Sequence, residues 1–335
     1  MSPSSTVLIA MPIFEGWEHV REALDSIVRQ THKNFRVLMS VDGGDQRSFD
    51  VCRPYTVDPR FELVMQPQRI YWEGNINWLA QNLREDFFCY WQHDDYCDPR
   101  YLEVLVDHAN RNPRASSIYC DMQCFGLRNE IIRYPSVTGF ALERVLKQAT
   151  KNSPVVIRCL IRAPAMRGAV PVTLASTWAL ALAGSGELHR VEEVLYFRRL
   201  RADSLGVQML ARTPEELWAA SLEWALGFLK VAHSLVQPHE LLRLFGLIAG
   251  RIVNGGVRGR WQYDFSTASP ALRLQFAVSF LSAAQERFGI SPFQQTQEGN
   301  AEPMEYVRGG AEPFAEERLI AEAFLLRSEV KKRAN

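Results

Sequence analysis

The chain has no net charge, no long apolar run and no paired-cysteine motif, and each absence closes off a class of function. Lysine plus arginine and aspartate plus glutamate number 38 each in 335 residues, so bulk charge gives no argument for a nucleic-acid partner. Val7 to Phe14 is too short for a membrane span. The apolar periodicity of Leu222 to Val253 is broken by Glu223, Lys230, His233, Glu240 and Arg243. The opening Met1-Ser2-Pro3-Ser4-Ser5 lacks the basic start of a secretory signal. The six cysteines (52, 89, 97, 120, 124 and 159) form no C-x-x-C pair, which reads as reduced, structural thiols in a cytoplasmic protein. There is no G-x-G-x-x-G after the first apolar run and no G-x-x-x-x-G-K-[ST] anywhere, which disfavours a dinucleotide-type Rossmann protein and a P-loop enzyme.

What remains is ordinary globular composition, 47% hydrophobic and 23% charged, in a chain long enough for one large domain or one domain with an appendage. Val7 to Pro12 is an apolar strand ended by proline. Trp17 to His32 follows at helical spacing, with Val20, Leu24, Ile27 and Val28 on one stripe. Phe35 to Val41 is a second strand, broken at Asp42-Gly43-Gly44-Asp45, where glycine permits a tight turn. Phe61 to Met65 is a third, Trp78 to Leu83 lies in a short helix, and Phe87 to Trp91 is a fourth strand. This alternation predicts an α/β fold with a mainly parallel central sheet, and ligands then bind outside the carboxyl ends of the strands. Pro12, Phe14, Glu15, Asp42, Asp94 and Asp95 all fall at those ends.

The densest chemistry lies in Tyr90-Trp91-Gln92-His93-Asp94-Asp95-Tyr96-Cys97-Asp98-Pro99. Two adjacent carboxylates stand where the fourth strand emerges, before an Asp-Pro turn. Adjacent acids there are costly unless a cation shares the site. A divalent metal on a diphosphate meets that need, since hard oxygen ligands suit Mg²⁺ or Mn²⁺. A solvated turn is the bland alternative, and the features upstream weigh against it.

In order and spacing, Val7 to Glu15, Ala23 to Thr31, Phe35 to Gly44 and the His93-Asp94-Asp95 region resemble the family-2 glycosyltransferases, which have the GT-A fold. A looser match runs from Val194 to Ser204, where Arg201 stands at a position the family often gives to histidine. The resemblance implies a nucleotide-diphosphate sugar as donor, with Pro12, Phe14 and Glu15 lining a nucleoside pocket. Asp42 would accept a hydrogen bond from the base, Asp95 would coordinate Mn²⁺ or Mg²⁺, and Asp94 would contact ribose or donor sugar. Arg69, Asn77, Arg199 and Arg201 fall where the family contacts nucleotide or donor. Each has a plainer reading: Asp42 as a turn former before Gly-Gly, Arg69 and Asn77 as surface residues. Trp72 and Trp78 read as core, and His93 as structural. Gln92 departs from the family, which commonly has an aspartate there.

From Arg144 to Gly186 there is no acidic residue, while Arg144, Lys147, Lys151, Arg158, Arg162 and Arg167 are basic. Such a stretch would suit a pyrophosphate-bearing donor or an acidic acceptor. It also lacks the Glu-Asp pair that inverting members place before a helix, here near Ser176-Thr177-Trp178. Asp121, on the strand Ala115 to Phe125, is then the candidate general base, with pairing to Arg128 or Arg133 as its structural alternative. Thr213-Pro214 opens a helical last third, with a loop at Gln294 to Ala311 and a helix at Glu316 to Lys332.

These readings place a GT-A domain at 1–210, its nucleotide half at about 1–100 and its acceptor half at about 101–210, and a helical region at 211–335. They predict an inverting, metal-dependent glycosyltransferase, UDP-type donors first, acting on a carbohydrate, lipid-linked or other glycosylated acceptor in polysaccharide, glycolipid or glycoconjugate synthesis. It would be cytoplasmic, in peripheral contact with the inner membrane face, with the C-terminal helices offering a homo-oligomer interface. A catalytically idle GT-A module and a nucleotidyltransferase are the alternatives.

Overall fold

A computed structural model describes residues 5–151, 154–202, 213–233 and 269–288. The chain divides into two compact units, Met1–Val207 and Gln208–Asn335. In the first, β1 (Val7–Ile13), α1 (Val20–Val28), β2 (Phe35–Val41), α2 (Gln46–Cys52), β3 (Phe61–Met65), α3 (Tyr71–Gln81) and β4 (Phe87–Tyr90) alternate as the pattern predicts. They are followed by β5 (Tyr96–Cys97), α4 (Tyr101–Arg111), β6 (Ala115–Gly126), β7 (Glu130–Ile132), α5 (Ala141–Lys151), β8 (Leu160–Arg162), α6 (Ala163–Ala169), α7 (Ala175–Ser185) and β9 (Glu187–Leu200).

One sheet runs through the unit in the order β3-β2-β1-β4-β8-β6-β9-β5, with β7 on β6. From β3 to β4 every pairing is parallel. Beyond β4 the sheet is mixed: β8 lies antiparallel between β4 and β6, β9 runs parallel to β6, and β5 closes antiparallel on β9. All seven residues of β1 and all four of β4 are buried. Helices cover both faces of these strands, which explains continuous apolar runs in place of alternation. β2 and β3 lie on one side of β1 and β4 on the other, so the strand order reverses between β1 and β4. The crevice outside the carboxyl ends of strands at such a reversal is where ligands bind in open α/β sheets.

Two details differ from the sequence pattern. α1 buries Val20, Ala23, Leu24 and Ile27 but leaves Val28 at 42% exposure, because position 28 has rotated past the core-facing arc. The helix before β4 starts at Tyr71, seven residues before Trp78.

Four residues of the basic stretch are engaged within the fold. Arg144 donates to the carbonyls of Ala183 and Gly184 at the end of α7. Arg162 does the same for Ala109 and Asn112 at the end of α4, and for Ala115. Lys147 pairs with Glu143, and Arg167 reaches Leu83 O at 3.5 Å. Carbonyls at a helix C-terminus have no partner within the helix and favour cations, so these arginines serve the fold. All six cysteines are free and buried, and burial pushes the Cys89, Cys120 and Cys52 thiols up to about 12, which leaves them unreactive.

In the second unit, α8 (Pro214–His233) and α9 (Pro270–Phe288) pack through Trp218 and Phe276, rings 4.8 Å apart and nearly perpendicular. Thr213 and Glu216 form a reciprocal capping box: Glu216 N–H donates to Thr213 Oγ1, and Thr213 N–H to Glu216 Oε2. No helix among the described residues is long and apolar enough to cross a membrane. The loop expected at 294–311, the helix at 316–332 and the stretch from 234 to 253 lie outside the described residues.

Candidate functional site

The carboxyl edge of β1 is shaped by a left-handed turn. Glu15 has φ 49°, a region costly for a non-glycine residue and common at functional sites. Asp45 holds it there: one oxygen accepts the Glu15 N–H at 2.7 Å, the other caps α2 at Ser48 N–H. Gly16 N–H donates to Ser48 Oγ. His93 packs so tightly on Gly16 that a Cβ there would stand 2.8 Å from its ring, and its Nδ1 meets Pro12 O at 3.3 Å. Pro12 is buried, Phe14 half-buried and Glu15 exposed.

Asp42 follows β2, but it does not open towards a base. It is 1% exposed. Its oxygens accept the backbone N–H groups of Ile70 at 2.7 Å, Tyr71 at 3.1 Å and Gly43 at 3.1 Å. Gly43 lies directly beneath Gln68, where an added Cβ would come within 2.2 Å of backbone. Its carboxylate thus anchors the loop between β3 and α3. Tyr71 in that loop is also left-handed, φ 58°, with a largely exposed ring. Arg69, half exposed, places its guanidinium 3.7 Å from the Phe14 ring centroid and 4.9 Å from that of Tyr71, so it stays at the edge with Phe14 as a cationic, aromatic surface. Asn77 does not reach this edge. Its amide exchanges two hydrogen bonds with the Val172 backbone, latching α3 to the segment before α7.

After β4 the paired acids separate. Asp95 is 1% exposed; Tyr196 Oη donates to Oδ2 at 2.7 Å, Arg199 N–H to Oδ1 at 2.8 Å, and Arg158 Nε lies 3.7 Å away. Burial, then the neighbouring Asp94, pushes its carboxyl up to about 7, against Arg158, Tyr196 and Arg199. A carboxylate so enclosed is an anchor between β4 and β9. Asp94 holds the accessible carboxylate, its side chain 15% exposed, with Arg201 Nε 3.5 Å from Oδ2. The Arg199 guanidinium contacts Glu22 on α1, the Asp94 carbonyl and the Phe125 ring, while Arg201 lies beside the Asp94 carboxylate.

Gln92, where the family has an aspartate, accepts two hydrogen bonds from Arg158 at Oε1 (2.8 and 3.1 Å) and donates from Nε2 to Tyr90 Oη at 3.1 Å. Trp72 Nε1 donates to the same hydroxyl at 2.9 Å, and Trp178 packs on both rings. In the sequence Tyr90 read only as part of an apolar strand, Arg158 only as one of six basic residues, and Tyr196 only as part of the looser match, none with a role of its own. The Tyr196–Asp95 bond, for one, joins positions 101 apart.

Asp121 is engaged by arginines. Arg190 grips both its oxygens, at 2.6 and 2.8 Å, and Arg133 lies at 3.5 Å. The pair with Arg190 ties β6 to β9. The segment Ala175–Ser185, now α7, carries no acid, and Trp178 occupies the place expected for one.

The donor set fits a divalent ion in one way only. No group of three His, Cys, Asp or Glu side chains able to hold a metal occurs among the described residues. One hard carboxylate, Asp94, suits Mg²⁺ or Mn²⁺ when phosphates and water complete the shell.

The family model for "Glycosyl transferase family 2" matches residues 8–170, from β1 to the end of α6. Over those residues, just under half of its length, the chain is similar to that family. Among similar proteins, an uncharacterized glycosyltransferase of Rickettsia typhi is 24% identical over 123 residues, 35% of this chain and 36% of that protein. Glycosyltransferase GlyA of Streptococcus pneumoniae is 22% identical over 99 residues, 30% of this chain and 14% of that protein. The match thus spans well under two thirds of either relative. Among solved structures, S. aureus TarS 1-349 in complex with UDP-GlcNAc superposes with a TM-score of 0.50 at 12% identity, covering 88% of this chain and 76% of TarS 1-349. The mannosyltransferase PcManGT from Pyrobaculum calidifontis, in complex with GDP-Man and Mn²⁺, gives 0.51 at 13%, covering 86% and 76%. At such identities the likeness establishes the GT-A-type fold.

Proposed function

We propose that the family 2 domain binds a nucleotide-diphosphate sugar outside β1 and β4 and transfers the sugar, with inversion, to an acceptor hydroxyl. The observation that carries this reading is Asp94: a partly exposed carboxylate after β4, at the strand-order reversal, beside Arg201. Phe14, Arg69 and Tyr71 offer a planar, cationic surface for the nucleobase, with Glu15 at its rim. Asp94 would hold Mn²⁺ or Mg²⁺ jointly with the diphosphate; such an ion supplies Lewis-acid stabilisation of the leaving nucleoside diphosphate. Arg201 adds positive charge beside the same oxygens. Both structural neighbours were seen with nucleotide-diphosphate sugars, UDP-GlcNAc and GDP-Man, which supports the donor class, with UDP-type donors tested first. The acceptor would be a carbohydrate or lipid-linked hydroxyl.

A second reading, an idle GT-A module that binds without transferring, is favoured by the missing acid on α7 and the engaged Asp121. Incubation with UDP-GlcNAc or GDP-Man, Mn²⁺ and acceptor candidates separates them. Release of nucleoside diphosphate that is lost in Asp94→Asn supports transfer. Binding by calorimetry without release supports the idle module, and no binding of any nucleotide sugar overturns both.

A further inference from the structure

The hydrogen bonds around Tyr90 run in a direction with a consequence for ligand recognition. Arginine has only donors, so Arg158 fixes the Gln92 amide with Oε1 towards it and Nε2 towards Tyr90. Trp72 Nε1, also only a donor, meets the Tyr90 oxygen from another side. The phenolic oxygen thus receives two hydrogen bonds, and its own proton has no acceptor among the described residues. Trp178 Nε1, in the same aromatic cluster, is likewise buried without a partner. Buried donors left unspent cost free energy until an acceptor arrives. Both side chains hydrogen-bonded to Tyr90 Oη are donors, so the partner its proton calls for is an oxygen acceptor.

We propose that Tyr90, the last residue of β4, donates its hydroxyl proton to a phosphate or sugar oxygen of the ligand held beside Asp94, and that Gln92 is the residue that turns this proton outward. The proposal rests on the donor-binding reading above and names a further contact within it. Its logic lies in the amide. A carboxylate at position 92 could accept from Arg158 and from Tyr90 together, drawing the phenolic proton into the protein. An amide held by Arg158 can only donate to Tyr90, which frees that proton for the ligand. Burial, the largest cause, and to a smaller degree Asp94 oppose loss of the phenolic proton, outweighing Arg158, Trp72 and Gln92, which act the other way. The hydroxyl is therefore kept as a donor at the place where the diphosphate would sit.

The experiment is a double-variant cycle read by calorimetry with UDP-GlcNAc and with GDP-Man, in the presence of Mn²⁺. Tyr90→Phe keeps the ring and its packing but removes the proton. A hydrogen bond to a charged oxygen predicts about tenfold or greater weakening. Gln92→Glu keeps the Arg158 pair and reverses the bond to Tyr90, and should weaken binding by a similar factor. The double variant should bind no worse than the weaker single one, because both changes remove the same proton. Affinity for the nucleoside alone should be unaffected in all three. Wild-type affinity in Tyr90→Phe overturns the Tyr90 contact while leaving the donor site intact. Losses that multiply in the double variant overturn the role given to Gln92, since its effect would then be charge repulsion. A wild-type protein that binds neither donor overturns the donor-binding reading itself, and this contact with it.

Discussion

Asp94 and Asp95 are the same chemical group one residue apart, and burial alone divides their work. Asp95 accepts from Tyr196 and Arg199 and lies against Arg158; Asp94 keeps an oxygen at the surface beside Arg201. Their amide variants should fail in opposite ways. Asp94→Asn should abolish Mn²⁺-dependent nucleotide binding by calorimetry with an unchanged urea midpoint. Asp95→Asn should lower folding stability by about 1.5–3 kcal/mol, the scale of hydrogen bonds to a charged group, because an amide nitrogen would face one of its two donors. A destabilised Asp94→Asn, or an Asp95→Asn of wild-type stability, would reverse the assignment. Asp42 follows the same logic. Asp42→Ala strands the N–H groups of Ile70 and Tyr71 and should also cost about 1.5–3 kcal/mol in urea unfolding. Any loss of nucleotide affinity should be smaller and follow from a loosened loop.

At the scale of elements, the contact of α4 with β9 is predicted to respond to pH. His108 Nε2 lies 3.1 Å from His189 Nδ1, and His189 Nε2 is 3.0 Å from Glu187 Oε2. Burial, then the charges of His189 and Arg111, holds the His108 pKa below its ordinary 6.5. The unfolded chain therefore takes up a proton at His108 before the folded one does. This favours unfolding as pH falls from 6.5 through the lowered folded value, and has no effect above it. Urea midpoints at pH 7.5 and 5.5 should show a smaller acid loss in His108→Gln than in the wild type. Equal losses would mean that the pair does not sense pH.

For the whole molecule, a donor that binds only the folded state should raise apparent stability by RT ln(1 + [L]/Kd), about 2.7 kcal/mol at a hundredfold excess over Kd. A thermal-shift screen of UDP, GDP, CDP and ADP with Mn²⁺ should therefore single out one base, and Asp94→Asn should erase the metal-dependent part of the shift. Residues 1–207 alone form a compact unit containing every side chain placed at the site. The proposed division at about residue 210 predicts that this fragment retains the shift seen with the full chain. A fragment that folds but no longer responds would assign part of the donor site to residues 208–335.

The sequence by itself determined the alternation of strand and helix, the boundaries of β2 and β3, the helix start at Pro214 and the edge of the sheet that carries the polar clusters. Those follow from local signals: apolar periodicity, proline and glycine stops, a capping threonine. It also showed that Gln92 and the acid-free stretch were unusual. Which acid faces outward was beyond it, because Asp94 and Asp95 differ only in what approaches from β9, about a hundred residues later. The same holds for Asp42, met by backbone from the next loop but one, and for Asp121, claimed by Arg190 across the β6–β9 pair. Burial and hydrogen-bond partners are set by long-range packing. Only the tertiary structure could therefore decide which polar groups are spent on the fold and which remain for a ligand.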